Sequence, residues 1–338
     1  VVGAYAIVAM SSDYPNRLVA ARKSSPLVVG IGSDGAYYCA SDATPIVEYT
    51  KKVVYLNDEE VAVIDLEEGL KLYDISDQQK TPFFQELELE LEALEKGGYE
   101  HFMLKEIHEQ PRSIQDCFRG RLNSDEAWVA LGGIREYEQK MISANRLIIV
   151  ACGTSWHAGL VGEYLIEQIA GIPVEVQLAS EFKYRDEPLT RSTAILALSQ
   201  SGETADTLAA LRHAKSLGQT RTLAICNVPE SSLVRETALR FITRAGPEIG
   251  VASTKAFTTQ LAGLFLLTLA LAQTKGRLSD EEEAGHIKAM RHLPAALQAV
   301  LALEPQIISW AEEFASKENA LFLGRGTHYP IALEGALK

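Results

Sequence analysis

Apolar segments alternate with helical patterns through the second part of the chain, and this alternation restricts the folds that the chain can adopt. Five nearly uninterrupted apolar segments are typical of buried strands: residues 146–153, 172–182, 193–199, 220–227 and 239–246. Helices are predicted between or after them: residues 157–171, 204–218, 254–274 and 281–301. Alternation of this kind predicts an α/β fold with a doubly wound parallel sheet, covered by helices on both faces.

The first 80 or so residues have a different pattern. Short apolar segments follow one another there, separated by Asp, Asn, Gly, Ser and Pro: residues 3–10, 17–23, 26–32, 35–41, 51–56 and 60–66. We expect an antiparallel layer of strands in this region, without a long helix.

An acidic stretch, residues 83–98, separates the two patterns and ends in Gly97-Gly98. It is interpreted as a solvated face leading into a linker, and the alternative is an acidic interaction segment. The domain organisation expected from these shifts has four parts: residues 1–91, a linker at 92–99, a sheet domain with preceding helices at 100–315, and the start of a second such domain at 316–338.

Composition excludes several classes of function. The 338 residues carry a formal net charge of −13, so binding to nucleic acid or to an anionic membrane is not expected. The four cysteines are widely spaced, without a C-x-x-C pair, which favours a reduced, cytoplasmic setting. The apolar run 261–272 is shorter than the roughly 20 residues that span a bilayer, and predicts a buried helix. The opening residues do not resemble a signal peptide.

The segment SQSGETADT, residues 199–207, lies where a predicted strand passes into a helix. Ligands of parallel α/β sheets bind at such junctions. Hydroxyls and helix N–H groups there can hold a phosphate, and Gly202 allows the backbone to come close. The candidate residues are Ser199, Gln200, Ser201 and Thr204. The alternative is that Ser201 or Thr204 only caps the helix.

Two further junctions have the same character. Thr154 and Ser155 follow the first strand of the sheet, and Val251 and Ser253 precede the long apolar helix. His157 is interpreted as structural, with a role as acid or base as the alternative. Lys255 is interpreted as a solvated lysine of the first helical turn, with contact to an anion as the alternative. Walker and Rossmann patterns are absent from these loops, so a nucleotide is disfavoured, and neither a cofactor nor a metal is predicted.

The end of the chain repeats the first junction. LIIVACGTSWHAG is echoed by NALFLGRGTHYPIA, which predicts an apolar strand, a Gly-Thr turn and a helix again. Glu334 and Lys338 are spaced i,i+4 on that helix, and such a pair is usually a surface ion pair. An accessory role in acid–base chemistry is the alternative.

Taken together, CGTS, SQSGETADTL, ICNV, SSLVRE, EIGVASTKAFTTQL and GRGTHYPIALEGALK resemble the sugar isomerase domains of the glutamine–fructose-6-phosphate aminotransferases. KGGYEHFMLKEIHEQP is similar to the hinge that joins the glutaminase and isomerase domains of that family. The resemblance covers nearly the whole chain. It implies that the first 90 or so residues are the later part of an N-terminal-nucleophile glutaminase domain, which is a layered antiparallel fold.

The resemblance also implies an activity. Family members hydrolyse glutamine and use its ammonia to convert fructose 6-phosphate to glucosamine 6-phosphate. Positions matching Ser199, Gln200, Ser201 and Thr204 bind the phosphate, and those matching Thr154, Ser155, Val251 and Ser253 line the sugar site. A homo-oligomer, such as a dimer, is implied for the full-length protein, which also takes glutamine.

Two departures from the family pattern affect this expectation. Residue 1 is Val, where the family's glutaminase uses an N-terminal cysteine, and the isomerase base, the ring-opening histidine and a lysine of the family match no position up to Lys338. His328 is not that histidine, and Glu334 and Lys338 are at most accessory. The 338 residues alone are therefore expected to be inactive. The alternatives are a non-catalytic sugar-phosphate-binding regulator of the same fold, and a paralogue that regulates a complete synthase.

Overall fold

The computed structural model describes residue 3 and residues 5–87, 95–122, 129, 131, 144–186 and 188–338. The chain divides into two compact units, Val1–Gly97 and Gly98–Lys338. Much of the acidic stretch, including the expected boundary at residues 91 and 92, lies outside the described residues.

The first unit is built from antiparallel strands. In chain order they are β1 (Tyr5–Ser11), β2 (Tyr14–Lys23), β3 (Val28–Ile31), β4 (Tyr37–Ala40), β5 (Lys52–Tyr55), β6 (Glu60–Asp65), β7 (Gly69–Asp74), β8 (Gln79–Lys80) and β9 (Gln85–Glu86). One sheet has the order β1-β2-β6-β7-β8 and the other the order β4-β3-β5-β9. The antiparallel layer is confirmed, whereas β7, β8 and β9 were not predicted.

The two sheets of this unit share one apolar core. Val29 and Val54 come from the four-stranded sheet, and Ala62 and Ile64 come from the five-stranded sheet; all four belong to one buried cluster. Buried and partly exposed residues alternate along β6, as expected for a strand with one face in a core. The sheets therefore pack face to face as two layers.

The second unit contains the parallel sheet. Its strands are β10 (Arg146–Ala151), β11 (Val174–Leu178), β12 (Thr193–Ser199), β13 (Thr222–Cys226) and β14 (Leu239–Ile242). They are ordered β11-β10-β12-β13-β14, and every neighbouring pair is parallel. Each strand falls inside one of the five predicted segments, so the α/β fold class is confirmed.

The helices of this unit, in chain order, are α1 (Phe102–Phe118), α2 (Gly153–Leu165), α3 (Ala179–Phe182), α4 (Ala205–Ser216), α5 (Ser232–Glu236), α6 (Lys255–Thr274), α7 (Asp280–Leu301), α8 (Glu304–Phe314) and α9 (His328–Leu337). A π-helical segment, Ile166–Ala170, continues α2 and ends at Gly171, whose φ of 65° is left-handed. The four long helices that the sequence predicts are present.

Successive residues of the central strands point to opposite faces of the sheet. Ile149 and Leu196 belong to a core cluster that includes residues of α1, α2, α6 and α7. Ile148 and Ile195 belong to the cluster formed with α3, α4 and α5. Both faces are therefore covered, which explains why these strands are apolar without alternation.

α6 is the most apolar helix of the unit. Within the described parts of the chain it is the one helix long and apolar enough to cross a bilayer, with 20 residues. Of the most apolar 18-residue stretch of α6, 67% is buried in the fold. The predicted buried helix is confirmed, although its length alone would not have distinguished it from a membrane span.

The end of the chain follows the internal echo only in part. Gly153 and Gly326 both have left-handed φ angles, of 56° and 60°, and each lies at or just before the start of a helix. Residues 319–325, where a strand was predicted, have no regular secondary structure. Leu321 and Leu323 are each 83% exposed. A strand needs a hydrogen-bonded neighbour, and the described residues place none beside this segment.

We expect Leu264→Ala to destabilise the second unit by about 2–5 kcal/mol, because it opens a cavity in the core. Leu264 is fully buried in α6 and lies against Gly162 of α2, where even an added Cβ would be 3.0 Å away. Leu323→Ala, at an 83% exposed position, makes the same chemical change and is expected to cost less than about 0.5 kcal/mol. Urea unfolding measures both. Equal losses would contradict this account of the core.

Candidate functional site

The candidate residues lie at one edge of the parallel sheet. β12 ends at Ser199, β10 ends two residues before Gly153, and β14 is followed by a loop that leads into α6. Because parallel strands have their carboxyl ends at the same edge, these three loops open on that edge. The site therefore has to be built from loop backbone, loop side chains and the first turns of helices.

The loop after β12 is held by its own hydroxyls. Ser199 Oγ accepts a hydrogen bond from the Gly202 N–H at 2.9 Å and lies 3.1 Å from Thr204 Oγ1. Ser201 Oγ accepts one from the Glu203 N–H at 3.1 Å. Thr204 is the N-cap residue of α4, yet its side chain makes no capping hydrogen bond. The hydroxyls thus shape the loop, and the positive end of the α4 dipole remains available to an anion.

Gly202 is required at the centre of this loop. Its φ is 69°, and a Cβ there would lie 2.0 Å from Ser231 Oγ and 2.8 Å from Cys226 Sγ. Its carbonyl accepts a hydrogen bond from the Leu233 N–H at 3.0 Å. Only a residue without a side chain fits against α5 in this backbone conformation.

Asn227, directly after β13, connects two of the loops. Its N–H donates to the Gln200 carbonyl at 3.1 Å, which fixes the loop after β12. Its side-chain Nδ2 donates to the Gly246 carbonyl at 2.7 Å, and its Oδ1 accepts from the Ala245 N–H at 2.7 Å. Asn227 is 8% exposed. One buried amide therefore sets the position of the loop after β12 relative to the loop after β14.

The loop before α6 is shaped by Glu248. Its carboxylate accepts hydrogen bonds from Ser253 Oγ at 2.9 Å, from the Thr254 N–H at 2.8 Å and from the Ala256 N–H at 3.1 Å. These contacts cap the start of α6 from within the loop. Val251, just before, is fully exposed. Of the two candidates here, Ser253 is engaged by Glu248 and Val251 projects into solvent.

Lys255 is not the solvated lysine that the sequence favoured. It is 3% exposed, and its Nζ lies 2.6 Å from Glu109 Oε2 of α1. A buried ammonium needs a partner, and helix α1 supplies the carboxylate. The first turn of α6 is packed under α1, which the chain order alone does not reveal.

Thr154, Glu334 and Lys338 form a single cluster. Thr154 Oγ1 donates to Glu334 Oε1 at 3.0 Å, and Lys338 Nζ lies 2.9 Å from Glu334 Oε1 and 3.1 Å from Thr154 Oγ1. His157 Nδ1 lies 2.6 Å from Glu334 Oε2. Helix α9 is thereby joined to the start of α2. The i,i+4 pair at the end of the chain is thus more than a surface ion pair.

Glu334 is 5% exposed, and its environment favours the charged form. Burial by itself would raise the pKa of this carboxyl. Hydrogen bonds from His157, Lys338 and Thr154 outweigh burial and hold the pKa below its ordinary value. The imidazole of His157 contacts this carboxylate and is itself 8% exposed.

Ser155 belongs to a separate contact with the core helix. Gln260 Nε2 of α6 donates to Ser155 Oγ at 3.0 Å, and Ser155 is 8% exposed. The Gln260 Oε1 atom is buried without a hydrogen-bond partner among the described residues. The first turn of α2, directly after β10, is therefore positioned by α9 at Thr154 and by α6 at Ser155.

The structure gathers the predicted residues into three groups rather than one. Ser199, Ser201 and Thr204 shape one loop, Thr154 joins Glu334 and Lys338, and Ser253 is held by Glu248. Sequence reasoning missed the residues that hold these groups in place, chiefly Asn227, Glu248 and Gln260. Asn227 stands directly after an apolar strand, which is a usable signal, whereas nothing in the local pattern distinguishes Gln260.

The described residues offer no group of three or more His, Cys, Asp or Glu side chains that could hold a metal. Burial raises the pKa of Cys117 and of Cys226 to about 11, so both thiols stay neutral near pH 7. The chemistry that this edge can perform is binding of an anion by hydroxyls and N–H groups, beside an ionised carboxylate paired with a lysine.

Known proteins resemble this chain at three levels: a family model, curated relatives and solved structures. The family model described as the SIS domain matches residues 140–270. The glutamine–fructose-6-phosphate aminotransferase [isomerizing] of Bordetella parapertussis is 53% identical over 336 residues, covering 99% of this chain and 54% of that protein. The same enzyme of Bacteroides thetaiotaomicron is 51% identical over 338 residues, covering 100% of this chain and 55% of that protein. The chain spans about half the length of these curated relatives.

Solved structures include a relative of high similarity. The C-terminal domain of glucosamine-fructose-6-phosphate aminotransferase from Francisella tularensis superposes with a TM-score of 0.69 at 44% sequence identity. The match covers 72% of this chain and 67% of that one.

We expect Glu334→Gln to flatten the acid side of the stability profile of the second unit. The folded-state pKa of Glu334 lies below the ordinary value of 4.5, so ionisation stabilises the fold. That contribution is complete above the unfolded-state pKa and is lost as the pH falls through the folded-state pKa. Urea unfolding between about pH 6 and pH 3 measures the difference. Glu312→Gln, on the exposed α8, is the matched control. Identical acid profiles for the original chain and Glu334→Gln would contradict the expected shift.

Proposed function

The chain belongs to the glutamine–fructose-6-phosphate aminotransferase family, and from that membership we propose that its second unit binds fructose 6-phosphate and glucosamine 6-phosphate. The binding site is the carboxyl edge of the parallel sheet. The observation that carries the proposal is the loop after β12, where Thr204 leaves the N-terminus of α4 uncapped and bonds to Ser199 instead.

The phosphate is assigned to this loop. Ser199, Gln200, Ser201 and Thr204 offer hydroxyl, amide and backbone N–H donors, and the 12 residues of α4 add their dipole. These donors are neutral, so they suit a doubly charged ligand without the burial of an unpaired cation. The left-handed Gly202 lets the backbone approach the phosphate oxygens closely.

The sugar is assigned to the other two loops. Thr154 and Ser155 approach it from the loop after β10, and Val251 and Ser253 approach it from the loop before α6. Glu334 and Lys338, held on Thr154 at about hydrogen-bond distance, are accessory residues that present a carboxylate and an ammonium to the sugar end. Catalysis itself is not assigned to a residue of these 338.

For the whole protein we propose the reaction L-glutamine + fructose 6-phosphate → L-glutamate + glucosamine 6-phosphate. The amide nitrogen of glutamine leaves as ammonia and becomes the amino group of the sugar, and aldose–ketose isomerisation completes the step. The layered first unit would belong to the glutaminase part. A cytoplasmic homodimer acting on small molecules, without nucleic acid or membrane, completes the proposal.

We expect fructose 6-phosphate to raise the thermal unfolding midpoint of the chain, because a ligand that binds only the folded state stabilises it by mass action. At a ligand concentration 100 times Kd the gain is about 2.7 kcal/mol. The Ser199→Ala, Thr204→Ala double variant is expected to lose most of this shift, since it removes two of the three hydroxyls of the loop.

The matched control is Thr190→Ala, Ser192→Ala. These hydroxyls lie 3.0 Å apart in the segment before β12, at the opposite end of the same strand from Ser199. The control is expected to keep the full ligand-induced shift. Equal shifts for the Ser199–Thr204 variant and the original chain would remove the support for a phosphate loop there.

The inactivity of the 338 residues on their own stays a prediction. We expect a polypeptide of this sequence to release no glutamate from glutamine and to form no glucosamine 6-phosphate, because the resemblance matches neither the glutaminase nucleophile nor the isomerase base to any of its positions. A coupled assay with a full-length family member as positive control measures both. Formation of the amino sugar by the purified chain would overturn this expectation.

A further inference from the structure

One face of α1 contacts the loop before α6 along the whole length of that loop. Ser113 Oγ donates to the Ala245 carbonyl at 3.1 Å, Glu106 contacts residues 249 and 250, and Glu109 pairs with Lys255 at 2.6 Å. Residues 106, 109 and 113 have the i, i+3, i+7 spacing that places side chains on one face of a helix. The loop is thus bound to α1 at its start, its middle and its end.

The contact in the middle is made by a buried carboxylate. Glu106 is 2% exposed, and its Oε1 accepts hydrogen bonds from the Ile249 N–H at 2.5 Å and the Gly250 N–H at 2.9 Å. Its Oε2 is buried with no hydrogen-bond partner among the described residues. A buried carboxylate is costly unless it is well bonded, and charge-assisted bonds to two backbone donors are strong. They fix the backbone immediately before Val251.

Gly250 shows how closely helix and loop approach. A Cβ at this position would lie 2.6 Å from Glu106 Oε2 and 3.3 Å from Met103 Cα. The Glu106 side chain could move, but the helix backbone at Met103 cannot move without displacing α1. The close approach therefore depends on the missing side chain of Gly250 and on the length of the Glu106 side chain.

We propose that Glu106 is a positioning residue for the sugar end of the site, because it holds the backbone of residues 249 and 250 next to Val251. This inference rests on the proposed function, since it assumes that Val251 and Ser253 meet the sugar. α1 lies before residues 140–270, the part matched by the SIS domain model. We call the contact of Glu106 with the N–H groups of residues 249 and 250 the clamp. The clamp comes from outside the matched domain, so the conformation of the loop before α6 depends on a helix that the SIS domain model does not include.

The clamp acts on only one part of the ligand. The loop after β12 is held by Ser199, Gly202 and Asn227, and Asn227 reaches the loop before α6 at Ala245 and Gly246, before the residues 249 and 250 that Glu106 holds. Loosening residues 249–251 should therefore weaken binding of the sugar and leave binding of phosphate intact. This separation distinguishes positioning from a general loss of stability, which would weaken both.

The test compares Glu106→Ala with Glu106→Gln and with Arg112→Ala, a control on the exposed side of the same helix, where Arg112 is 87% exposed. Calorimetry measures the Kd of fructose 6-phosphate, and NMR titration measures that of inorganic phosphate. Glu106→Ala should raise the first about ten-fold or more and leave the second within about two-fold. Glu106→Gln keeps an acceptor oxygen for the two N–H groups and should recover most of the affinity.

A second measurement judges the clamp without ligand. Amide hydrogen exchange at residues 249 and 250 should accelerate in Glu106→Ala and not in Arg112→Ala. Gly250→Ala, which keeps the carboxylate, should reproduce the loss of sugar affinity if Glu106→Ala fails to fold.

The outcomes separate the two proposals. Absence of fructose 6-phosphate binding by the original chain overturns the proposed function. In that case amide hydrogen exchange at residues 249 and 250 still tests whether Glu106 holds this backbone. Unchanged exchange in Glu106→Ala, or unchanged sugar affinity in a chain that binds fructose 6-phosphate, overturns the clamp. Parallel losses of sugar and phosphate affinity also overturn it, because they indicate a merely structural role.

Discussion

Burial of both faces of the parallel sheet is the constraint on which the rest of the second unit depends. Ile148, Ile149 and Val150 are each completely buried, although successive side chains point to opposite sides. A strand in this position has no face on which a polar group can meet water. The polar residues of β12, Thr193 and Ser199, consequently stand at its two ends. Recognition of a polar ligand by the sheet is thereby confined to its edges, and the proposed site lies at the carboxyl edge.

Carboxylates that accept hydrogen bonds from backbone N–H groups fix the conformation of that edge. Glu248, Glu106 and Glu203 each accept backbone N–H groups of a loop or helix start, the last from Ser232 at 2.7 Å. The net charge of −13 thus includes side chains that are spent on internal hydrogen bonds rather than exposed to solvent. The loop after β12 also uses hydroxyls for its internal bonds, and the Thr204 side chain does not cap the electropositive start of α4. Two acids lie close by: Glu203 of this loop accepts the Ser232 N–H, and Asp206 in the first turn of α4 pairs with Lys183, so each carboxylate near the proposed anion site has a bonding partner.

The pattern of apolar residues was sufficient to predict the α/β fold, because a strand buried on both faces is apolar at nearly every position. β10 to β14 and the long helices could be placed from that signal, whereas the two-residue strands β8 and β9 are too short to produce one. Ser199 and Thr204 could be proposed as site residues because they are close in sequence and follow a strand. The contacts of Lys255 with Glu109, and of Thr154 with Glu334, join residues 146 and 180 positions apart. Local patterns carry no information about such pairs, so the buried state of Lys255 was not predicted.

The separation of 180 residues between Thr154 and Glu334 also bears on the order in which the site is assembled. Contacts distant in sequence carry a larger loop-closure entropy and form late, whereas β12 and α4 are neighbours along the chain. During synthesis the loop after β12 can take shape as soon as the sheet does, while Thr154 waits for α9 to be translated. A nascent chain would then pass through a stage at which the phosphate loop is complete and the Glu334 cluster does not yet exist. Its affinity for phosphate would precede its affinity for sugar in time.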